Sequence, residues 1–340
     1  MIEHAFFGAT QNGERIEQYT ITNRNGVRAS MMTLGASLVS LVLPIAGGEV
    51  DVCLGYDTPK DYLLHHNYMG SICGRFANRI RNGRFSLNGT EHRLPVNNAP
   101  NHLHGGFVGF SFRIWDASVT GENSVTFSRL SPDNEEQYPG NLNVRVTYTL
   151  GDDNVLSLHY EAVSDADTIL NLTNHPYWNL NGHGSGDAME HTLMIPATYF
   201  CPTDAAALVT GEITPVANTP FDFRTPHSIR SSMDLDQKQL SFGRGYDHCY
   251  LLDGAQPIRL TGNKTGITLE IATDMPGVHL YTANQLYSHI GKGGAVYEAY
   301  GSLALETEQI PDAPNCPQFP SAILKAGEPF SSVTSYRFIF

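Results

Sequence analysis

The sequence predicts an all-β fold, built as one large antiparallel β-sandwich with only short helices. Apolar and polar residues alternate with period two in several stretches, which is the pattern of half-buried strands. The chain contains 32 glycines and 19 prolines, and turn-forming sequences separate the alternating stretches. No amphipathic helical pattern extends beyond about two turns. Because no linker or repeat period divides the 340 residues, we expect a single domain over residues 1–340.

The clearest strand pair lies in the middle of the chain. Apolar residues occupy every second position of residues 142–150, and they do so again in residues 156–162. The intervening residues, Gly151-Asp152-Asp153-Asn154, are turn formers. The pattern therefore predicts an antiparallel hairpin.

Shorter signals predict further strands and two helical pieces. Asn88-Gly89 suits a type I′ turn and follows the alternating residues 85–87, while residues 267–271 alternate after a glycine-bounded turn. Residues 59–66 and 232–239 are the best helical candidates.

Composition limits the possible ligands and compartments. The formal net charge is −13 and the 21 Lys and Arg residues are scattered, so we expect no nucleic-acid partner and a neutral or weakly charged ligand. The N-terminal residues lack the basic start of a signal peptide, and no stretch reaches the roughly 20 apolar residues that span a bilayer. We expect a cytoplasmic monomer or homodimer without membrane association. The five cysteines include no C-x-x-C pair, which predicts free buried thiols.

The first of four polar segments is residues 74–80. The guanidinium of Arg75 is a fork of donors that suits sugar hydroxyls as well as carboxylates, and Asn78 offers both a donor and an acceptor. Together they could orient a polyol. A surface ion pair is the alternative interpretation of Arg75 when this segment is taken alone.

The second segment, residues 101–106, contains two histidines before a Gly-Gly pair. His102 and His104 would share a face if the segment is extended. An H-x-H pair can begin a metal site, but that site needs a further carboxylate and histidine, whereas glycine and aromatic residues follow His104. We therefore expect no metal. The glycines would let a ligand approach His104, and a structural role is the expectation for His102.

The third segment, residues 171–180, places His175 before a proline and two aromatic residues. Pro176 favours extended geometry at His175, whose imidazole can donate a proton near neutral pH. The rings of Tyr177 and Trp178 could stack on a sugar or belong to the core, and the sequence leaves both open for Trp178.

The fourth segment, residues 303–315, is an apolar strand that ends among acids and prolines. Alternation puts Glu306 and Glu308 on one face, and partial burial would raise the pKa of one of them toward a useful base strength. A solvated acidic strand end is the alternative.

Taken together, the four segments resemble the aldose 1-epimerase family. Its members carry G-R-x-A-N-R-I, N-x-L-H-G-G, T-N-H-x-Y-[FW]-N-L and L-E-T-Q-x-x-P-D-[AS]-x-N in this order. The match extends to residues 55–57, 219–223 and 245–248, and to residues 325–328, where alanine replaces the usual proline. Each motif alone is weak, but the ordered set is specific.

The resemblance implies a β-supersandwich enzyme that interconverts the α and β anomers of a free hexose, within hexose or galactose metabolism. It implies Glu306 as general base and His175 as general acid, with His104, Arg75 and Asp247 holding the sugar. Ring opening needs one proton taken from the C1 hydroxyl and one given to the ring oxygen, so neither a cofactor nor a metal is expected.

Two departures from the family pattern concern the site. His279 stands where relatives usually carry glutamine near the substrate, and Glu308 replaces the usual glutamine after Leu-Glu-Thr. We therefore expect His279 among the substrate-binding residues and leave the preferred sugar open. A non-catalytic sugar-binding protein, a hydrolase that uses Asp247 and Glu306, and an epimerase of phosphorylated sugars are the alternatives.

Overall fold

Long antiparallel sheets dominate the computed structural model, which describes residues 1–254 and 256–340. The largest, called here the long sheet, has nine strands. Their spatial order is Asp116–Gly121, Ser124–Ser131, Leu142–Leu150, Val155–Ser164, Pro329–Ile339, Thr268–Thr273, Ile258–Thr261, Thr192–Met194 and His227–Ser228.

A six-stranded sheet, called here the site sheet, carries the residues of the cavity described below. Its spatial order is Tyr177–Trp178, Leu303–Glu308, Gly277–Tyr281, Asp247–Leu251, Tyr199–Phe200 and Thr214–Pro215. A five-stranded sheet follows chain order through Ile2–Ala9, Arg15–Thr22, Arg28–Met32, Ser37–Ile45 and Gly48–Asp51. Short two-stranded pairs complete the described strands: Arg79–Ile80 with His102–Leu103, Ile72–Cys73 with Thr173–Asn174, Arg84–Leu87 with Thr90–Arg93, Thr168–Ile169 with Ile323–Leu324, and His289–Ile290 with Val296–Tyr297.

The strands predicted from alternation are confirmed. Leu142–Leu150 pairs with Val155–Ser164 in full antiparallel register, and its residues alternate between buried and more exposed positions. Asn88 and Gly89 both have positive φ and connect Arg84–Leu87 to Thr90–Arg93, as a type I′ turn requires.

Helix is confined to short segments among the described residues. The α-helices are Pro59–His65, Ile229–Ser232 and Lys238–Gly243, and the 3₁₀ turns are Arg81–Gly83, Phe110–Phe112, Glu135–Gln137, Lys292–Gly294 and Ala313–Asn315. The prediction near residues 59–66 is confirmed. The prediction of one helix over 232–239 is wrong, because Gln237 caps a new helix by accepting hydrogen bonds from the backbone N–H groups of Gln239 and Leu240. No helix among these residues has the length and apolar character that crossing a bilayer requires.

The site sheet packs face to face on the long sheet, which confirms the sandwich. The ring of Trp178 is fully buried, with its centroid 5.4 Å from that of Tyr336 and 5.7 Å from that of Phe338. Thr307 reaches the same strand of the long sheet through a 2.7 Å hydrogen bond to Thr334. Trp178 is therefore a core residue. Since alternate residues of a strand point to opposite faces, Glu306 and Glu308 point away from the long sheet.

Candidate active site

A cavity of about 410 Å³ opens on the outer face of the site sheet. Strands and strand ends of that sheet contribute Asp247, His279 and Glu306, and His175 lies just before its first strand. The loops that cover the sheet contribute Asn78 and His104, and the short strand Arg79–Ile80 contributes Arg79. The structure thus brings together six of the seven site residues predicted from the sequence: Asn78, His104, His175, Asp247, His279 and Glu306.

The imidazole of His175 and the carboxyl group of Glu306 form what we call the acid–base pair. Nε2 of His175 lies 3.4 Å from Oε1 of Glu306. His175 is held by a backbone hydrogen bond from its N–H to the carbonyl of Ser71, and the next residue is a proline, which favours extended backbone. Both side chains are buried.

Burial sets the proton content of the acid–base pair. Loss of solvation raises the pKa of Glu306 well above its ordinary value, with a further contribution from the negative charge of Asp247. The same loss lowers the pKa of His175 to about 4. Burial therefore favours the uncharged form of both groups, with the proton on the carboxyl group. Moving that proton from the carboxyl group to the imidazole creates the carboxylate base and imidazolium acid without taking up or releasing a proton.

Asp247 supplies a permanent negative charge to the cavity. Burial alone would raise the pKa of Asp247, but the guanidinium of Arg79 and the hydrogen bond from His279 outweigh burial and hold that pKa well below its usual range. Nη2 of Arg79 lies 3.7 Å from Oδ2, and Nε2 of His279 lies 2.6 Å from Oδ1. An ionised carboxylate beside a guanidinium offers acceptors and donors to neighbouring hydroxyl groups.

His104 presents a hydrogen-bond donor to the cavity. Its Nδ1 accepts a hydrogen bond from the backbone N–H of Asn78 at 3.1 Å, so Nε2 carries the proton of the neutral ring. Burial keeps the pKa of His104 well below its ordinary value, and the adjacent His175 lowers it further. The backbone turns sharply here, with φ of +48° at His104 and +88° at Gly105, and a Cβ on Gly105 would overlap the carbonyl oxygen of Gly74.

That turn also separates His104 from His102. The two histidines would share a face only in an extended segment, and the strand ends at Leu103, so they do not. The ring of His102 is buried outside the cavity, with Nδ1 2.7 Å from the Pro95 carbonyl oxygen and Nε2 2.6 Å from the Tyr138 hydroxyl. Its structural role is confirmed.

Three potential metal ligands meet in this cavity. One atom each from His104, His175 and Glu306 lies within 4.8 Å of the others. The donor chemistry does not fit an ion, because Nδ1 of His104 is occupied by the N–H of Asn78 and Nε2 bears a proton. The expectation that the enzyme needs no metal and no cofactor stays a prediction.

The structure corrects the expectation for Arg75. Its guanidinium is buried away from the cavity and donates to Ser131 Oγ and to the carbonyl oxygens of Ser131, Pro132 and Pro139, at 2.8–2.9 Å. Burial lowers its pKa to about 10. Four of its five N–H donors are used in this way, so Arg75 stabilises a neighbouring loop.

Arg79, which the sequence interpretation missed, is the arginine that lines the cavity. It belongs to the same motif, and its strand Arg79–Ile80 pairs with His102–Leu103, directly before His104. The proximity of the two motifs in space is the signal that would have identified it. Tyr68, Tyr177 and Tyr281 form aromatic walls of the same cavity.

A buried carboxyl–imidazole pair, an ionised aspartate and fixed donors around a small polar cavity define an acid–base enzyme. The sequence model of the family described as aldose 1-epimerase matches residues 17–337. The chain is 38% identical to the galactose mutarotase of Sus scrofa, with 99% of this chain and 98% of that protein aligned. It is 37% identical to the aldose 1-epimerase of Haemophilus influenzae, over 99% and 100% of the two chains.

Solved structures agree with these matches. The aldose epimerase homologue from C. elegans superposes with a TM-score of 0.88 at 34% identity, covering 94% of this chain and 98% of that one. The chain therefore belongs to the aldose 1-epimerase family, and it is an isomerase that acts on carbohydrates.

Proposed function

We propose that this enzyme interconverts the α and β anomers of a free aldohexose, such as galactose or glucose, with Glu306 as general base and His175 as general acid. The observation that carries this assignment is the 3.4 Å approach of the two side chains inside the cavity. In a cyclic sugar the hydroxyl oxygen and the ring oxygen are both bonded to C1. A base and an acid that serve these two atoms must therefore lie close together.

The proposed reaction moves two protons in each direction. Glu306 takes the proton of the C1 hydroxyl while His175 gives a proton to the ring oxygen, and the C1–ring oxygen bond breaks to leave an open-chain aldehyde. Rotation about C1–C2 turns the other face of the carbonyl toward the ring oxygen. Ring closure then returns each proton to the group that gave it, so the pair regains its starting state.

The electrostatics of the cavity support this division of roles. The fixed negative charge of Asp247 disfavours a second carboxylate at Glu306 and favours a proton on His175. Asp247 thus favours the imidazolium that the general acid requires. Asp247, Arg79 and the Nε2 proton of His104 are the polar groups that we propose hold the sugar hydroxyls.

The charge balance favours a neutral sugar over a phosphorylated one. Among the described residues that line the cavity, Arg79 is the one lysine or arginine, and its guanidinium already lies beside Asp247. A phosphate group would face Asp247 with no unpaired guanidinium to balance it.

Polarimetry on freshly dissolved α-glucose and α-galactose tests the assignment. We expect a rate above the buffer blank for the wild type and a loss of roughly 10²- to 10⁴-fold in kcat for Glu306→Gln and for His175→Gln. The exposed residue Glu122 provides a matched control, because Glu122→Gln removes one carboxylate that does not line the cavity. A Glu306→Gln variant with the full rate would show that Glu306 is not the general base. A wild type without activity on any common aldose would contradict the proposed function.

The location in the cytoplasm, the monomeric or homodimeric state and the absence of a nucleic-acid partner stay predictions. Cell fractionation, light scattering and a nucleic-acid binding assay test them.

A further inference from the structure

The amide of Asn78 holds two buried side chains at once. Its Oδ1 accepts a hydrogen bond from the backbone N–H of Arg79 at 2.9 Å, which identifies the other amide atom as the nitrogen. That Nδ2 lies 3.1 Å from Nδ1 of His279 and 3.1 Å from Oε1 of Glu308. The two amide hydrogens are therefore both donated.

This arrangement fixes the tautomer of His279. Because Asn78 Nδ2 is a donor, Nδ1 of His279 must be the acceptor and carries no proton. The proton of the neutral ring is then on Nε2, which donates to Oδ1 of Asp247 at 2.6 Å. Glu308 does not compete for Nδ1, since its Oε1 is 3.7 Å away and already accepts from the amide.

Both ring nitrogens of His279 are consequently engaged with protein groups. The ring lines the cavity, yet it has no free donor or acceptor for a sugar hydroxyl. Only carbon-bound hydrogens remain to face a ligand. His279 therefore has no ring nitrogen with which to bind the substrate directly, and any effect on the substrate must pass through a neighbouring residue.

We propose that His279 is a positioning residue: held in one tautomer by Asn78, it fixes the carboxylate of Asp247 instead of hydrogen-bonding the sugar. The inference rests on the proposed function, in which Asp247 is a ligand for sugar hydroxyls. With Oδ1 occupied by His279, Oδ2 is the oxygen that faces Arg79 and the substrate. Glu308 and Asn78 support Asp247 indirectly, through the orientation of the imidazole.

Steady-state kinetics test the positioning role. The variant His279→Leu removes the hydrogen bond to Asp247 and should raise KM for the best sugar by about tenfold or more, with kcat changed by less than about threefold. The variant His279→Gln should recover most of the lost KM, because its amide nitrogen can reach the position of Nε2. His159 is half-buried on the long sheet and does not line the cavity, so His159→Gln is the control for substitution of a histidine. The proposal would be contradicted if His279→Leu lowered kcat at unchanged KM, or if it left both kcat and KM unchanged.

The tautomer of His279 can be measured directly, and a purely structural role of His279 would not predict it. In the NMR spectrum of wild-type protein with ¹⁵N-labelled histidine, the signals of His279 are those that are missing from the spectrum of His279→Gln. They should show a protonated Nε2 and an unprotonated Nδ1 near neutral pH. Asn78→Asp replaces the donor with an acceptor and should move a proton onto Nδ1. A wild-type ring protonated at Nδ1 would overturn the proposal.

These measurements separate this inference from the proposed function. If the wild type converts no sugar, the kinetic test falls with the function, whereas the tautomer and the calorimetric affinity of His279→Leu for galactose still decide the positioning role. A correct tautomer with unchanged calorimetric affinity would also overturn it.

Discussion

Glu308 gives a quantitative prediction about stability and pH. Its side chain is fully buried; Oε1 accepts from Asn78, and Oε2 has no hydrogen-bond partner among the described residues. Burial raises the pKa of Glu308 well above 4.5, and the nearby Glu306 raises it further. The folded protein therefore holds a proton here at pH values where the unfolded chain has lost it.

The sign of the effect follows from this difference in proton content. Between the unfolded pKa near 4.5 and the higher folded pKa, the native state binds one more proton than the unfolded state. The free energy of unfolding then falls as pH rises, by about 1.4 kcal/mol per pH unit. The contribution of Glu308 to the free energy of unfolding is therefore lost progressively as pH rises from the unfolded pKa toward the folded pKa. Glu308→Gln removes this contribution, because an amide does not titrate.

Urea unfolding of the wild type and Glu308→Gln at pH 5.5, 6.5 and 7.5 measures the difference. The free energy of unfolding of the variant should rise relative to that of the wild type at each step. The exposed Glu122→Gln variant should stay parallel to the wild type. Curves for Glu308→Gln that also stay parallel would show that Glu308 is ionised in the folded state and would refute the reasoning.

Three further predictions concern the supports of the site and its proton content. Arg75→Met leaves buried carbonyl oxygens without donors, so it should lower the free energy of unfolding by roughly 3–6 kcal/mol without raising KM. Arg79→Met should raise KM by about tenfold, because Arg79 lines the cavity. The opposite pattern would show that Arg75, and not Arg79, binds the substrate. Gly105→Ala should lower the free energy of unfolding in urea, and kcat, by more than Gly13→Ala does. Both glycines have positive φ, but only Gly13 has open space for a Cβ. The rate should fall at acid pH near the imidazole pKa of about 4, and it should fall again at higher pH once the raised carboxyl pKa is passed. A blank-corrected profile with an acid limb near 6.5 would contradict this proton content.

The parts of the fold that follow from local pattern could be predicted from the sequence. Alternation in residues 142–150 specifies a strand with one buried face, and the adjacent turn formers fix its partner. Residues 232–239 illustrate the limit of this reasoning, since the cap at Gln237 divides what looked like one helical piece. The single domain over residues 1–340 remains a prediction, supported by strands from many parts of the chain that share the long sheet.

The site followed from ordered motifs, but the direction of each side chain did not. Arg75 and Arg79 have the same chemistry and lie four positions apart, so composition could not show which one faces the cavity. That choice depends on the loop that accepts the Arg75 donors and on the pairing of Arg79–Ile80 with His102–Leu103. Likewise, the tautomer of His279 depends on an amide from a distant loop.

The Asn78 amide joins a loop to a strand residue 230 positions further along the chain. Contacts at such separation form late, because the entropy lost on closing long loops opposes them until neighbouring pairings exist. We therefore expect the catalytic cavity to be completed late in folding. During refolding from denaturant, turnover should return with the slowest phase, after most of the β-structure seen by circular dichroism has already formed.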